Sequence, residues 1–324
     1  MPDPISSVSH FPSLLQCTLE VFRLPSPSGR EALMRAYVVE HLRTWGCTVS
    51  VDATGNVLAY RGAPAEGQGY PLLSFHLDCI WVDPAPLEAP LSWESESTRR
   101  RRTRRSIPSL EPLPLEALIL EDGWLHSNGR FVLGGDDKCG AVIALTLAQM
   151  TDLPLKIVAS VEEERGCVGI AQVDPAFFAD VAYALVLDRR GANHLIVSIA
   201  DHLLCQGSFA AALMRAAADT GLLVYAAQGA LSDALTLSDA VPNVANLSVG
   251  YYHPHTVHER VSLRDLWHAY RWVHAALHCL PCSRAETALP SEQKAPDPSC
   301  CARCHHLRLD PALVPGDLHP LLCH

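Results

Sequence analysis

Three apolar segments of the chain run directly into acidic or histidine residues. They are YPLLSFHLD at residues 70–78, LKIVASVEEE at residues 155–164 and VAYALVLDRR at residues 181–190. Continuous apolar runs of this length are typical of buried strands in the interior of a sheet. In open α/β sheets, binding sites form outside the carboxyl ends of such strands. The three segments therefore predict a sheet with one polar edge, which restricts the folds open to the chain.

Segments with helical apolar spacing accompany these strands. They cover residues 11–23, 31–45, 138–150, 208–219 and 261–280. Strands that alternate with helices indicate an α/β fold with a layered sheet. Ser28 stands in a Pro/Ser/Gly turn before the second helix, and we expect it to be the N-cap of that helix.

Composition and charge disfavour several classes of function. The net charge of −10 argues against general nucleic-acid binding. No run of 18 apolar residues is present, so no transmembrane helix is expected. The start, MPDPISSVSH, has no basic region followed by an apolar core, and no secretory signal is predicted. We expect a cytoplasmic protein that binds neither nucleic acid nor membrane.

Two segments interrupt the α/β pattern. Residues 84–115 are rich in proline and contain the basic run RRRRTRR at residues 99–105, which predicts a surface insertion. We interpret the run as a solvated loop, with docking to an acidic partner and proteolytic processing as alternatives. Residues 283–324 are rich in Cys, His and Pro, and they follow a single folded domain predicted over residues 1–282.

Of the twelve cysteines, six lie within the last 46 residues and six lie earlier in the chain. Cys300 and Cys323 belong to the first group. Cys279 and Cys282, followed by Cys301 and Cys304, have the spacing of a structural zinc site. A disordered terminus is the alternative for this part of the chain. Six cysteines earlier in the chain are expected to be small, reduced core or turn residues: Cys17, Cys47, Cys79, Cys139, Cys167 and Cys205.

Ionisable residues recur at the ends of the predicted strands: His76, Asp78, Asp136, Asp137, Glu163, Glu164, Asp188 and His255. Taken singly, such a histidine is usually a core residue, a paired aspartate is usually a turn, and EEER is usually the start of a solvated helix. Six carboxylates that converge with two imidazoles need a cation to remain charged. A His/Asp/Glu set without thiolates suits zinc, manganese or cobalt in a hydrolytic role.

The chain also contains a specific series of motifs: SPSGRE (26–31), DATGNVLA (52–59), HLD (76–78), LGGDDKCG (133–140), EERGCVG (163–169), LDRRG (187–191), SDA (232–234) and HTVHE (255–259). Their order and spacing resemble those of the co-catalytic zinc exopeptidases. This clan includes peptidase T, the glutamate carboxypeptidases and the bacterial zinc aminopeptidases. The resemblance covers residues 11–280, and it implies a three-layer α-β-α sandwich with a mixed central sheet.

The same resemblance implies two divalent metal ions, with zinc expected and cobalt or manganese as alternatives. It assigns five ligands: His76 and Asp188 for one ion, Glu164 and His255 for the other, and Asp136 as the bridge between them. His255 stands four residues before Glu259, which is the spacing of the clan. We therefore prefer it to His253, the nearest alternative, and to His258.

Three further residues receive roles from the resemblance. Asp78 accepts a hydrogen bond from the second ring nitrogen of His76 and fixes its tautomer. Glu163 takes a proton from the attacking water and passes it to the leaving nitrogen. Asp137 is structural, and the peptide bond between Asp136 and Asp137 is expected to be cis.

The chain departs from many relatives in the length of one connection. Those relatives carry an inserted lid or dimerisation domain after the second metal-ligand strand. Here only 43 residues separate Asp188 from Ser232, and they have the pattern of core helix and strand. We therefore predict a catalytic domain without a lid, and we do not expect a lid-mediated dimer.

The double arginine after Asp188 resembles the peptidase branches of the clan and favours an exopeptidase that acts on short peptides from the amino end. The alternatives are an N-acyl-amino-acid deacylase or a carboxypeptidase with the same metal centre, and an inactive scaffold or binding protein. A carboxypeptidase needs a cation for the substrate carboxylate, and Arg165, Arg189 and Arg190 are candidates. Asp201 and Asp233 are nearby acidic residues without an assigned role.

Overall fold

The computed structural model of the protein describes residues 10–80 and 111–283. The basic run 99–105 and the tail with Cys301 and Cys304 lie outside the described residues, as does most of the proline-rich insertion. The predictions made for these segments stay predictions. Within the described ranges, no helix combines the length and the apolar character needed to cross a membrane.

The described residues form six α-helices: α1 (Phe11–Val21), α2 (Ala32–Thr44), α3 (Gly135–Met150), α4 (Gly207–Asp219), α5 (Asp233–Leu237) and α6 (Leu263–Cys279). All of them except the short α5 were predicted. The N-cap prediction for Ser28 was wrong. Glu31 precedes the first turn of α2, and the Ser28 hydroxyl instead donates a hydrogen bond to Oδ2 of Asp78, at 2.7 Å. Ser28 lies too far before Ala32 to reach the free backbone N–H groups of that turn.

Thirteen strands are present in the described ranges: β1 (Thr48–Val51), β2 (Val57–Arg61), β3 (Tyr70–His76), β4 (Ile119–Glu121), β5 (Trp124–His126), β6 (Leu155–Ser160), β7 (Val181–Arg189), β8 (His194–Ile199), β9 (His202–Leu203), β10 (Tyr225–Gly229), β11 (Val244–Ser248), β12 (Tyr251–Tyr252) and β13 (Arg260–Ser262). The central sheet has the order β1-β2-β6-β3-β7-β11-β8-β10, and β9 pairs with β8. Neighbours among β6, β3, β7 and β11 are parallel, whereas β2 and β8 join them antiparallel. The predicted mixed sheet is therefore confirmed.

Helices cover both faces of this sheet. Leu73 and Phe75 of β3 belong to the core formed with α1, α2, α3, α4 and α6, whereas Leu72 belongs to a second core with α5 and the 3₁₀-helices at Ile170–Gln172 and Pro175–Phe178. This division follows from the alternation of side chains along a strand. The three-layer α-β-α sandwich is confirmed. Helix α3 packs across β3 and β7, and it is buried on almost every side because KCGAVIALTLA has no polar face.

A second, four-stranded sheet has the order β12-β13-β5-β4, and the sequence did not predict it. Its β4–β5 hairpin turns at Asp122–Gly123. Strand β13 pairs with both β5 and β12, although β5 lies far away along the chain. This sheet holds the loop 253–259 over the polar edge of the central sheet.

The connection between Asp188 and Ser232 is part of the central sheet. It contains β8, β9, α4 and β10, and β8 pairs with β11 while β10 pairs with β8. Residues 194–229 thus extend the core instead of forming a separate lid, as the length of the connection predicted.

Candidate metal centre

The candidate site lies at the predicted polar edge of the central sheet. His76 is the last residue of β3, and Asp188 is the next-to-last residue of β7. Glu163 and Glu164 follow β6, in a 3₁₀ turn over Glu163–Arg165. Because β6, β3 and β7 are adjacent and parallel, their carboxyl ends meet at one edge. The sheet therefore brings together side chains from three distant parts of the sequence.

Two further residues reach this edge from outside the central sheet. Asp136 lies at the start of α3, where Asp136 and Asp137 depart from helical dihedral angles and their peptide bond is cis, as expected. His255 lies in the loop between β12 and β13. Oδ1 of Asp136 is 3.1 Å from Nε2 of His76, and Oδ2 is 3.2 Å from Nε2 of His255. The carboxylate of Asp136 therefore stands between two histidines.

Each histidine also faces a second carboxylate. Nε2 of His76 is 3.6 Å from Oδ1 of Asp188, and Nε2 of His255 is 2.8 Å from Oε1 of Glu164. Oε1 of Glu164 is buried and has no hydrogen-bond partner, so this short separation lacks the geometry of a hydrogen bond. Two ligand atoms that face one cation have such a separation. With Asp136 counted in both, each half of the site offers three candidate ligands.

The site carries more carboxylates than it can keep charged by itself. Burial opposes a charge on His76, but Asp136 and Asp188 outweigh it and raise the pKa of His76 well above its ordinary value. The adjacent carboxylates of Asp136 and Glu164 raise the pKa of His255 to about 10. Burial and the charge of Asp136 raise the pKa of Asp188 well above its ordinary value. A His/Asp/Glu set that holds protons in this way fits divalent cations.

A cavity of about 530 Å³ opens on this centre. Its walls include Asp136, Glu163, Glu164, Asp188 and His255. Cavities of this size accommodate small ligands. The candidate metal ligands are therefore accessible to a molecule as large as a short peptide.

Solved structures with a similar backbone identify the fold. Aminopeptidase PepT from Bacillus cereus ATCC 10987 matches with a TM-score of 0.66 and 15% identity, over 82% of this chain and 98% of that chain. An aminopeptidase from the archaeon Desulfurococcus kamchatkensis matches with a TM-score of 0.64 and 18% identity, over 87% and 99%. A tripeptidase from Staphylococcus aureus subsp. aureus mu50 matches with a TM-score of 0.63 and 14% identity, over 82% and 97%. The chain has the zinc-exopeptidase fold. No family model and no curated protein sequence matches it.

Within the zinc-exopeptidase fold, Asp78 connects His76 to the 3₁₀ turn that carries Glu163 and Glu164. Nδ1 of His76 is 2.9 Å from the backbone oxygen of Asp78 and 3.4 Å from its carboxylate oxygen Oδ1. The backbone N–H groups of Glu163 and Glu164 donate to the Asp78 carboxylate, at 2.9 and 3.3 Å. The carbonyl is thus the nearer partner of the ring, whereas the carboxylate holds the turn that carries both glutamates.

Asp137 uses its carboxylate to hold backbone atoms. Oδ2 accepts a hydrogen bond from the N–H of His76, at 3.2 Å, and Oδ1 accepts one from Gly140, at 2.9 Å. The side chain is fully buried. Asp137 therefore joins the end of β3 to the start of α3, which agrees with the structural role expected for it.

The absence of a side chain at Gly140 lets α3 lie close to the end of β7 and to the carboxylate of Asp137. A Cβ atom added there would lie 2.3 Å from the backbone oxygen of Leu187 and 2.5 Å from Oδ1 of Asp137. Gly140→Ala is expected to lower the free energy of unfolding by about 1–3 kcal/mol, because the neighbouring backbone and carboxylate have no room to move. Gly207→Ala is the matched control, since Gly207 is also helical and has nothing within 4 Å of an added Cβ. Equal denaturant midpoints for the two variants would contradict the prediction.

Glu163 lies beside the centre without entering either half. Its Oε2 is 3.9 Å from Nε2 of His76, and its Oε1 accepts a hydrogen bond from the thiol of Cys167, at 3.4 Å. Burial raises the pKa of Glu163 to about 7, and the carboxylates of Asp233 and Asp136 act in the same direction. A carboxyl group with a pKa near neutrality can both accept and return a proton.

Sequence reasoning gave no role to Glu259, which holds the backbone around Asp136. Oε2 of Glu259 accepts from the N–H of Gly134, at 2.6 Å, and Oε1 accepts from the N–H of Asp136, at 3.2 Å. Burial, together with the charge of Asp136, raises the pKa of Glu259 to about 8. The four-residue spacing between His255 and Glu259 is the sequence feature that could have pointed to Glu259. It was used only to choose His255 as the candidate ligand.

The three histidines considered for the last ligand position have different surroundings in the structure. His255 faces Asp136 and Glu164, as described above. His253 and His258 are exposed, and within the described ranges neither ring makes an ion pair or a hydrogen bond. The backbone oxygen of His253 accepts from the hydroxyl of Thr256. The tight loop therefore presents only His255 to the centre.

If the centre holds two divalent ions, His255→Ala is expected to lower the affinity for one of them by at least about 100-fold, since removing even an outer-shell partner of a metal site costs 10- to 100-fold. His253→Ala is the matched control in the same loop and should retain both ions. Metal content per chain after dialysis, measured with activity, checks the prediction. Equal metal content in the two variants would overturn the choice of His255.

The two described cysteines of the predicted structural zinc site lie apart from this centre. Cys279 is the last residue of α6 and is exposed, whereas Cys282 is partly buried. Among the residues that the structure covers, neither belongs to a group of potential ligands. Because Cys301 and Cys304 lie outside the described residues, the zinc-binding tail stays a prediction. Cys139 is a fully buried residue inside α3, as expected for a small core residue.

Proposed function

We propose that the chain is a metal-dependent exopeptidase that hydrolyses short peptides from the amino end. One observation carries the proposal: the two carboxylate oxygens of Asp136 face the Nε2 atoms of two different histidines, His76 and His255. A carboxylate in this position is the natural bridge between two cations. The aminopeptidase and tripeptidase structures that share the fold support the same class of reaction.

In this proposal His76 and Asp188 would hold one divalent ion, Glu164 and His255 would hold the other, and Asp136 would contribute to both. Zinc suits this donor set, and cobalt or manganese are alternatives. When bound, the two ions polarise the scissile carbonyl and make water a stronger nucleophile at neutral pH. Asp78 orients His76 and the glutamate turn, so it acts on the reaction through these groups.

Glu163 moves the proton in this mechanism. Its carboxylate accepts the proton of the attacking water and returns it to the nitrogen that leaves. A pKa of about 7 suits both steps, because the group is then neither a strong acid nor a strong base at neutral pH. Glu163 lies in the cavity wall beside Asp136, where a peptide bond over the centre would be within reach.

Two observations bear on the end of the peptide that is recognised. Two of the similar solved structures are aminopeptidases, which favours a substrate with a free amine. The cavity contains Arg189 and Arg190, which favour the alternative of a carboxypeptidase or N-acyl-amino-acid deacylase. Both readings use the same metal centre and the same general base.

Metal analysis combined with a peptide panel tests the proposal. The purified protein is expected to bind two divalent ions per chain and to hydrolyse unmodified dipeptides and tripeptides, and a chelator should abolish this activity. Blocking the substrate amine should stop hydrolysis. Activity that survives amine blocking but not carboxyl amidation would favour the carboxypeptidase or deacylase. Less than one ion per chain, with no hydrolysis after zinc, cobalt or manganese addition, would favour an inactive scaffold.

A further inference from the structure

The three arginines beside the metal-ligand motifs have different environments. Arg165 is paired with Glu162 at 2.9 Å and donates to the backbone oxygen of Ser28 at 2.9 Å. It is not among the residues that line the cavity at the metal centre. Arg189 and Arg190 both line that cavity. The structure therefore leaves two of the three candidates for contact with a substrate.

Arg189 is the candidate with unmet hydrogen-bonding capacity. Its side chain is partly buried, and its Nε atom is buried without a hydrogen-bond partner. Within the described part of the chain, the guanidinium of Arg189 makes no ion pair or hydrogen bond. Arg190 is exposed, so water can solvate its charge. A buried N–H without a partner is costly, and Arg189 is therefore the group that gains most from an acceptor that enters the cavity.

A bulge in the sheet explains why Asp188 and Arg189 both line the cavity. Successive residues of a regular strand face opposite sides of the sheet. The pairing of β7 with β11 shifts at this point, since Asn246 is opposite Val186 but Ser248 is opposite Arg189. An extra residue in one strand re-aims the side chains next to it. The bulge thus brings a guanidinium next to a candidate metal ligand.

A carboxylate is the acceptor that this group fits best. The planar guanidinium matches the two oxygens of a carboxylate and binds them with two parallel hydrogen bonds. In a peptide, the groups of this kind are the C-terminal carboxylate and acidic side chains. Because an extended peptide advances only about 3.3 Å per residue, a C-terminal carboxylate bound next to Asp188 limits how many residues follow the scissile bond.

We infer that Arg189 is the carboxylate-binding residue of this site, and that the substrates are peptides of two or three residues with a free C-terminal carboxylate. The inference rests on the proposed peptidase function. It makes Arg189 a determinant of substrate length as well as of charge. It also agrees with hydrolysis from the amino end, because a dipeptide or tripeptide carries a free C-terminal carboxylate as well as a free amine.

The test compares three substrates on the metal-loaded full-length protein. They are trialanine, trialanine amide, and an amidated tripeptide with glutamate in the second position. The wild-type protein is expected to prefer trialanine over its amide by about 10- to 100-fold in kcat/KM, which is the range for hydrogen bonds to charged groups. Arg189→Met should remove this preference, mainly through a higher KM for trialanine. Arg189→Lys should retain part of it.

Arg215→Met is the matched control, because Arg215 is an exposed arginine on α4. It should keep the wild-type preference.

If the glutamate amide is a good substrate and depends on Arg189, the bound carboxylate is a side chain, and the inference about peptide length is wrong. Equal hydrolysis of trialanine and its amide by the wild type would overturn the whole inference and leave the peptidase proposal intact. No hydrolysis of any substrate would instead contradict the proposed function. If Arg189→Met does not fold, the wild-type comparison still tests carboxylate recognition, and Arg189→Lys tests the residue; an unchanged preference in a folded Arg189 variant would contradict its assignment.

Discussion

Replacing Glu163 by glutamine is expected to lower kcat by about 10²- to 10⁴-fold, the range attributed to a general acid–base group. The amide keeps the shape of the side chain but cannot accept a proton from water. Because Glu163 belongs to neither half of the proposed metal centre, two divalent ions should still be bound. Metal content and single-substrate kinetics, measured on the same preparation, check both parts of the prediction.

Glu162→Gln is the control for this experiment. It makes the same chemical change one residue away, in a side chain that pairs with Arg165 outside the cavity. Its kcat should stay close to the wild-type value. Normal turnover by Glu163→Gln would show that another group transfers the proton, whereas loss of metal from that variant would make Glu163 a ligand.

Replacing Asp136 by alanine is expected to release both divalent ions and abolish measurable hydrolysis. No other carboxylate lies between His76 and His255 with one oxygen toward each ring, as far as the described residues extend. Its loss removes one ligand from each half at the same time. The affinity for each ion should fall by at least about 100-fold, since even outer-shell changes cost up to that factor. Metal content after dialysis is the direct measurement.

Asp201→Ala is the control for the bridge, because Asp201 is an exposed acidic residue in the turn between β8 and β9. It should bind two ions. The contrast with His255→Ala is informative, because that change should affect one ion and Asp136→Ala should affect both. Retention of a single tightly held ion by Asp136→Ala would mean that the two halves do not share this carboxylate.

Much of the fold was predictable from local patterns. The apolar runs of β3, β6 and β7 and the amphipathic pattern of α6 are periodicities that a short window reveals. The position of the candidate site also followed, because polar residues came at the carboxyl ends of strands that had to be interior. The roles of the individual residues did not follow from their spacing. They came from the resemblance of the motifs to those of the zinc exopeptidases.

Other features could not be predicted because they depend on contacts between distant segments. The four-stranded sheet pairs β13 with β5, and a strand of three residues leaves too weak a pattern to be recognised. Ser28 was assigned to a helix terminus, whereas tertiary packing gives its hydroxyl to Asp78. Glu259 reads as an ordinary acidic residue in the sequence, yet the fold buries it against the backbone of Asp136.

The sequence by itself determined the layered α/β architecture, the edge of the sheet where the polar residues gather, and the set of ionisable residues at that edge. These properties follow from which side chains are apolar and from where each strand ends. Only the tertiary structure decided which atoms face each other: the two oxygens of Asp136 toward two histidines, and His255 instead of His253 toward the centre. It also decided that Arg165 is paired whereas Arg189 stands in the cavity with an unpartnered nitrogen. Such choices depend on strand register, on a bulge and on a loop held by a second sheet, and all three arise from packing between segments that are remote in the chain.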